Sequence, residues 1–186
     1  MKKLVFLMIL AGFAISLYGQ IVLFAGSKAP LFKARSDEGS VWKLADYIGQ
    51  KNIVLYFYPA AMTGGCTSQA CAYRDHMADF GKLDAIVVGI SGDDVNGLKA
   101  FKKAEQLNFT LLSDNNGEIA RLYGVPVSEG GSITKKIDEM DVVLKRGVTA
   151  KRVTFVIGKD GLIKYMNSQV DAANDYKAVL EILSGN

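Results

Sequence analysis

The sequence predicts an α/β fold in which a mixed central sheet is flanked by helices, and three observations carry that expectation. Two runs of β-formers, residues 53–58 (IVLYFY) and 84–91 (DAIVVGIS), are almost continuously apolar, as strands covered on both faces of a sheet are. Segments of helix length, opened by polar or glycine-bearing loops, alternate with these runs. Near the C-terminus two more β-like runs flank Gly158-Lys159-Asp160-Gly161, where Asp-Gly supplies a hairpin turn.

Taken in order, Ala29-Pro30-Leu31-Phe32 enters the domain extended, because Pro30 disfavours helix in the residue before it. Gly39 marks a turn, and residues 42–47 read as a short helical or looped stretch closed by Gly49. The strand 53–58 stops at Pro59. After a glycine-bearing loop, residues 66–80 read as one helix with Gly81 at its C-cap. The strand 84–91 follows, and Asp93 and Asp94 open a helix reaching about Gln106. A short strand is expected over 109–113 and a short helix over 117–123. Residues 126–150, polar and mixed with Gly130, Gly131 and Gly147, give no clear period. The hairpin 152–157 and 162–166 and an amphipathic helix over 175–183 complete the chain. This β-α-β-α-β order, then a hairpin and a helix, is that of a thioredoxin-like fold.

The chain of 186 residues suits one domain with an N-terminal extension, and 49% hydrophobic against 22% charged residues gives it a core to bury. A net charge of +3 without a dense Lys/Arg run argues against nucleic acid as a partner. At the N-terminus Lys2 and Lys3 precede an apolar run from Leu4 to Leu17, the layout of a secretory signal. The apolar stretch resumes through Ala25, so that residues 4–25 are long enough to span a bilayer uncleaved. Residues 1–25 are therefore expected to be a signal peptide or a membrane anchor, with one domain over 26–186 and an exported, periplasmic or extracytoplasmic location.

The chemistry is expected in the loop between the strand 53–58 and the helix after it. A cysteine in a helix's first turn meets unpaired backbone N–H groups and the positive end of the helix dipole. Both favour the thiolate, which is the nucleophile. Cys66 stands at such a place, and Gly64 and Gly65 leave room for a small substrate. Thr63 carries a hydroxyl that both donates and accepts. The second cysteine, Cys71, closes too short a loop with Cys66 for a bridge whose purpose is stability.

Pro59, Thr63 and Cys66 resemble the P-x-x-x-T-x-x-C motif of the peroxiredoxins. Tyr56-Phe57-Tyr58-Pro59 with Cys66-Thr67-Ser68-Gln69-Ala70-Cys71 is similar to the bacterioferritin-comigratory-protein (Q-type) subfamily of the AhpC/TSA superfamily. Tyr73-Arg74-Asp75 continues the likeness, and residues 152–157 resemble the strand bearing that family's active-site arginine. The resemblance implies a thiol-dependent peroxidase acting on hydrogen peroxide and organic hydroperoxides. In it Cys66 attacks peroxide, Thr63 holds it, Arg152 stabilises developing charge, Pro59 shields the thiolate, and Cys71 resolves the sulfenic acid as a disulfide. It implies no cofactor and no metal, recycling by a thioredoxin-like dithiol, and turnover as a monomer, since the resolving cysteine is in the same chain. Three departures stand out: Gly64 where the family usually has proline, Gln69 where it usually has glutamate, and a longer segment at 126–150.

Two other chemistries fit the residues less well. A thiol–disulfide oxidoreductase on the same fold would favour C-x-x-C, whereas this chain has four residues between its cysteines and a threonine upstream. A copper-binding assembly protein needs a histidine from a distant loop beside two thiolates. The lone histidine, His76, falls on the cysteine helix and reads as an ordinary half-buried side chain.

Overall fold

The computed structural model describes residues 23–185, so the signal or anchor expected over 1–25 lies, up to residue 22, outside the described residues. Among those described, no helix is long and apolar enough to cross a membrane.

Short strands β1 (Lys33–Ser36) and β2 (Val41–Lys43) precede the central strand β3 (Asn52–Phe57). Ile53 to Phe57 are all fully buried, as expected of a strand covered on both faces. β3 pairs in parallel with β4 (Ala85–Ser91), which pairs in parallel with β5 (Thr110–Ser113). On its other side β3 meets β8 (Val153–Ile157) antiparallel, and β9 (Ile163–Asn167) continues from β8. The resulting seven-stranded mixed sheet has the order β2-β1-β5-β4-β3-β8-β9.

The two-residue period of β3 sorts the helices to the two faces. Val54 and Tyr56 face the side packed by α1 (Gly64–Asp75), α2 (Met77–Lys82), α3 (Val95–Ala104) and α5 (Asp175–Ser184), through Ala70, Tyr73, Phe80, Phe101 and Val179. Ile53, Leu55 and Phe57 face the opposite core, built with Trp42, Tyr123 and Ile119 of α4 (Glu118–Leu122). Gly89 in β4 makes the Tyr56 position possible, because a Cβ there would lie 2.7 Å from the Tyr56 hydroxyl.

Three expectations change. The helix expected over 66–80 starts earlier and is split: α1 ends at Asp75, His76 is the joint (φ −110°, ψ 13°), and α2 follows. The His76 ring donates from Nδ1 to the Ala72 carbonyl at 2.9 Å, taking the acceptor that the His76 N–H needs in a continuing helix. That N–H bonds Tyr73 O instead, and the ring stacks on Tyr176 with centroids 3.9 Å apart. Gly81 is not the cap either, for α2 runs through it and the left-handed residue is Asp84 (φ 53°). Upstream, residues 42–47 divide between β2 and a 3-10 turn at Leu44–Asp46.

The illegible segment 126–150 forms a second sheet, the hairpin β6 (Val127–Ile137) and β7 (Met140–Ala150). Its turn places Asp138 and Glu139 at φ 49° and 64°, the left-handed pair of a tight hairpin. Leu144 is buried, and the base is tied to the main domain by Gly147 N–H to Gly92 O (3.0 Å) and Asp94 N–H to Lys145 O (2.9 Å).

Candidate active site

α1 begins where the β3 run ends. Thr63, with extended backbone (φ −98°, ψ 148°), is the N-cap, and Gly64, Gly65 and Cys66 are the first three helical residues. The first intrahelical bond runs from Thr67 N–H to Thr63 O at 2.8 Å. The N–H groups of the three residues between have no acceptor in the helix, at its electropositive end. Cys66 is only 2% exposed, so its sulfur sees these groups more than bulk water.

Arg152 stands just before β8, and the pairing of Val153 with Phe57 brings it alongside the end of β3. Its Nη2 lies 3.3 Å from Cys66 Sγ, and its Nη1 donates to Gln69 Oε1 at 2.6 Å. Gln69, one turn beyond Cys66 on α1, is fully buried. Its Nε2 donates to Asp175 Oδ2 at 2.7 Å, and the same oxygen accepts from Tyr73 Oη (2.7 Å) and Thr154 Oγ1 (2.6 Å).

The loop before α1 is held in a defined shape. Met62 adopts φ 57°, a left-handed conformation that costs a non-glycine residue energy. The neighbouring Ala61 N–H is fixed by Asp93 Oδ2 (2.9 Å), which also accepts from Ser91 Oγ (2.8 Å). Asp93 is 1% exposed, and burial pushes its carboxyl above the usual range. Thr63 caps by backbone position only: its hydroxyl donates to Ala60 O at 2.9 Å, leaving its oxygen free to accept a hydrogen bond. Pro59 is half-buried at the start of this loop.

Cys71 is elsewhere on the same helix. Its thiol is half-buried and donates to Glu105 Oε2 at 3.6 Å, just beyond α3. Burial pushes the Cys71 thiol up, Arg74 opposes this, and Glu105 adds to the upward push. Both cysteines are free thiols.

The model of the AhpC/TSA family matches residues 25–166. This chain belongs to that family. It is 38% identical over 159 residues to peroxiredoxin Q, chloroplastic, of Oryza sativa subsp. japonica, spanning 85% of this chain and 65% of the plant protein. The chain thus spans 65–67% of the length of the plant relatives it matches. It is 37% identical over 161 residues to peroxiredoxin Bcp of Escherichia coli strain K12, covering 87% of this chain and 96% of that one. The crystal structure of peroxidoxin BcpB from Mycobacterium tuberculosis has the same fold, with a TM-score of 0.73 at 28% identity over 88% of this chain and 98% of that one. Within the AhpC/TSA family the chain therefore falls in the peroxiredoxin Q/Bcp group.

In this AhpC/TSA chain, Cys66 and Arg152 are in direct contact, with Thr63 at the cap of the cysteine's helix and Pro59 on the loop leading to it. Cys71 is not gathered with them. His76 lies at the far end of α1, engaged with Ala72 and Tyr176, and among the described residues no group of three or more His, Cys, Asp or Glu is placed to hold a metal. Four contributors escape a reading of the sequence: Gln69 as the acceptor of Arg152, Asp175 behind it, Asp93 under the loop, and Glu105 on Cys71. Asp93 and Asp175 look like helix-opening residues in the sequence. The one signal available was Gln69 itself, which leaves the arginine without the glutamate expected there.

Proposed function

We propose that this chain is a thiol peroxidase reducing hydrogen peroxide and organic hydroperoxides. The observation that carries the reading is the 3.3 Å contact between Arg152 Nη2 and Cys66 Sγ at the first turn of a helix. The first turn of a helix, whose leading N–H groups have no intrahelical acceptor, and a guanidinium meet at one sulfur, an arrangement that favours a thiolate. The Cys66 thiolate attacks the distal oxygen of the peroxide. As the S–O bond forms, the O–O bond breaks, and its electron pair leaves with the other oxygen, which takes a proton to become water or an alcohol. Sulfur is thereby oxidised to sulfenic acid. Thr63 accepts a hydrogen bond from the peroxide O–H while Arg152 stabilises the charge developing on the oxygens. Pro59, at the loop entrance, limits water at the sulfur.

Cys71 then attacks the sulfenic sulfur as thiolate, displacing hydroxide, which leaves as water once protonated, and forming the Cys66–Cys71 disulfide. An external thioredoxin-like dithiol restores both thiols by exchange, with its own two thiols oxidised in turn. The pair lies in one chain, so a monomer completes the cycle without a partner subunit. The basic–apolar N-terminus supports export, with residues 1–25 either removed or retained as an anchor. The test is a peroxidase assay coupled to candidate dithiol donors. Native protein consumes peroxide at the expense of the donor, and Cys66→Ser does not. Equal consumption by the two proteins overturns the reading.

A further inference from the structure

Asp175 opens α5, yet its side chain does not cap that helix. It turns inward, is only 3% exposed, and receives Gln69, Tyr73 and Thr154 on Oδ2, while Oδ1 has no hydrogen-bond partner. No cation among the described residues forms an ion pair with it. A carboxylate removed from water without a paired cation is unfavourable, so simple stability does not explain it. A nearby cation is reached through one side chain, for Gln69 touches Asp175 with its nitrogen and Arg152 with its oxygen.

That arrangement fixes the amide. A guanidinium only donates and a carboxylate only accepts, so Gln69 satisfies both in a single orientation, Oε1 toward Arg152 and Nε2 toward Asp175. The amide dipole then points its negative end at the guanidinium, and the hydrogen bonds reinforce one another along the chain of residues. The guanidinium is a rigid fork. Holding Nη1 on Gln69 (2.6 Å) therefore determines where Nη2 points, and it points at Cys66 Sγ (3.3 Å).

We propose that Asp175 is a positioning residue for Arg152, acting through the Gln69 amide to hold one guanidinium nitrogen on the Cys66 sulfur. The proposal deepens the peroxidase reading and rests on it for its meaning. Its test needs no peroxide, so a chain inactive as a peroxidase would leave the measurement standing.

The test measures alkylation of Cys66 by iodoacetamide against pH, with Cys71→Ser in the background. The ionisable groups facing Cys66 and Asp175 are then Arg152 before β8, Tyr56 of β3, Tyr58 after it, Tyr73 of α1 and Tyr165 of β9. Burial holds all four tyrosines above their ordinary value, so none changes charge between pH 5 and 9. Positioning and plain charge predict opposite signs. If Asp175 acted on the sulfur only by its charge, Asp175→Ala would favour the thiolate and lower the midpoint. As a positioning residue its loss leaves Gln69 Nε2 without an acceptor and loosens Arg152, so Asp175→Ala raises the midpoint by about half a pH unit, roughly a threefold loss of thiolate below it. Gln69→Leu, which cuts the relay but leaves Asp175, moves the midpoint the same way. Gln69→Glu combined with Asp175→Ala returns it toward the native value. An unchanged or lowered midpoint in Asp175→Ala overturns the proposal, as does failure of the double variant to recover. If Asp175→Ala does not fold by circular dichroism, Gln69→Leu decides alone, and an unmoved or lowered midpoint there overturns it.

Discussion

Cys66 and Cys71 ride on the same helix, α1, five residues apart, and face different partners: Arg152 for the first and Glu105 for the second. On a regular helix that spacing separates the Cα atoms by about 8.6 Å. Disulfides rarely form beyond ~7 Å. A bridge between the two therefore requires the first turns of α1 to unwind. Gly64 and Gly65 suit that change, being exposed glycines at the helix start. Amides at 66–72 should exchange faster in the oxidised protein than in the reduced one, by hydrogen exchange read with mass spectrometry. Equal protection in both states, with the bridge confirmed by mass, would mean that α1 need not open.

The Glu105 contact predicts how Cys71 waits. Burial and Glu105 hold its thiol above the ordinary value against the pull of Arg74, so a protonated, less reactive thiol is expected while α1 is intact. In a Cys66→Ser background, Cys71 should alkylate with a midpoint above that of a free cysteine, and Glu105→Gln should move it down. A midpoint unmoved by Glu105→Gln would mean that this contact does not govern the thiol.

Arg152→Lys keeps the positive charge but loses the planar fork that spans Gln69 and Cys66. Peroxide reduction should slow by roughly tenfold or more. The stopped-flow rate of reduced protein with peroxide is the readout, and an unchanged rate would separate the charge of Arg152 from its geometry.

Asp93 beneath the Met62 loop gives a pH signature. Its folded-state carboxyl is raised by burial above the unfolded value, so its favourable contribution is fully present below pH 4 and is lost as pH rises through the folded value. Asp93→Asn keeps an oxygen for Ala61 N–H and Ser91 Oγ without the charge. Its stability relative to native protein should therefore improve from pH 3 to pH 7 in denaturant titrations. Asp93→Ala strands both donors and should cost about 1–3 kcal/mol. A flat difference between native and Asp93→Asn across that range would remove Asp93 as a buried ionisable support.

Much of the fold was legible because its strands are extreme. The run 53–58 is buried on both faces, so an apolar stretch of β-formers sufficed to place β3, and Cys66 could be set at the helix that follows it. The break at His76 was hidden, since it depends on an imidazole taking a carbonyl one turn back and on a ring from α5. The hairpin 127–150 was hidden for another reason. It is a two-stranded sheet with mostly exposed residues, so burial imposes no alternation on its sequence. At the site, Cys66 was readable from its place at a helix start, while the roles of Pro59, Thr63 and Arg152 came only through the family resemblance. The residues that arrive from distant elements, Asp93, Glu105 and Asp175, were not readable, because a carboxylate that opens or follows a helix looks the same whether it faces water or the core.

The central claim is that Cys66 is the sulfur that takes oxygen from peroxide. The direct measurement treats reduced Cys71→Ser protein with one equivalent of hydrogen peroxide, traps sulfenic acid with dimedone, and locates the adduct by peptide mass. The account predicts a dimedone adduct on the peptide containing Cys66, progressing to sulfinic and sulfonic acid when peroxide is in excess and no thiol is present. Peroxide consumed with Cys66 left as a free thiol would contradict it.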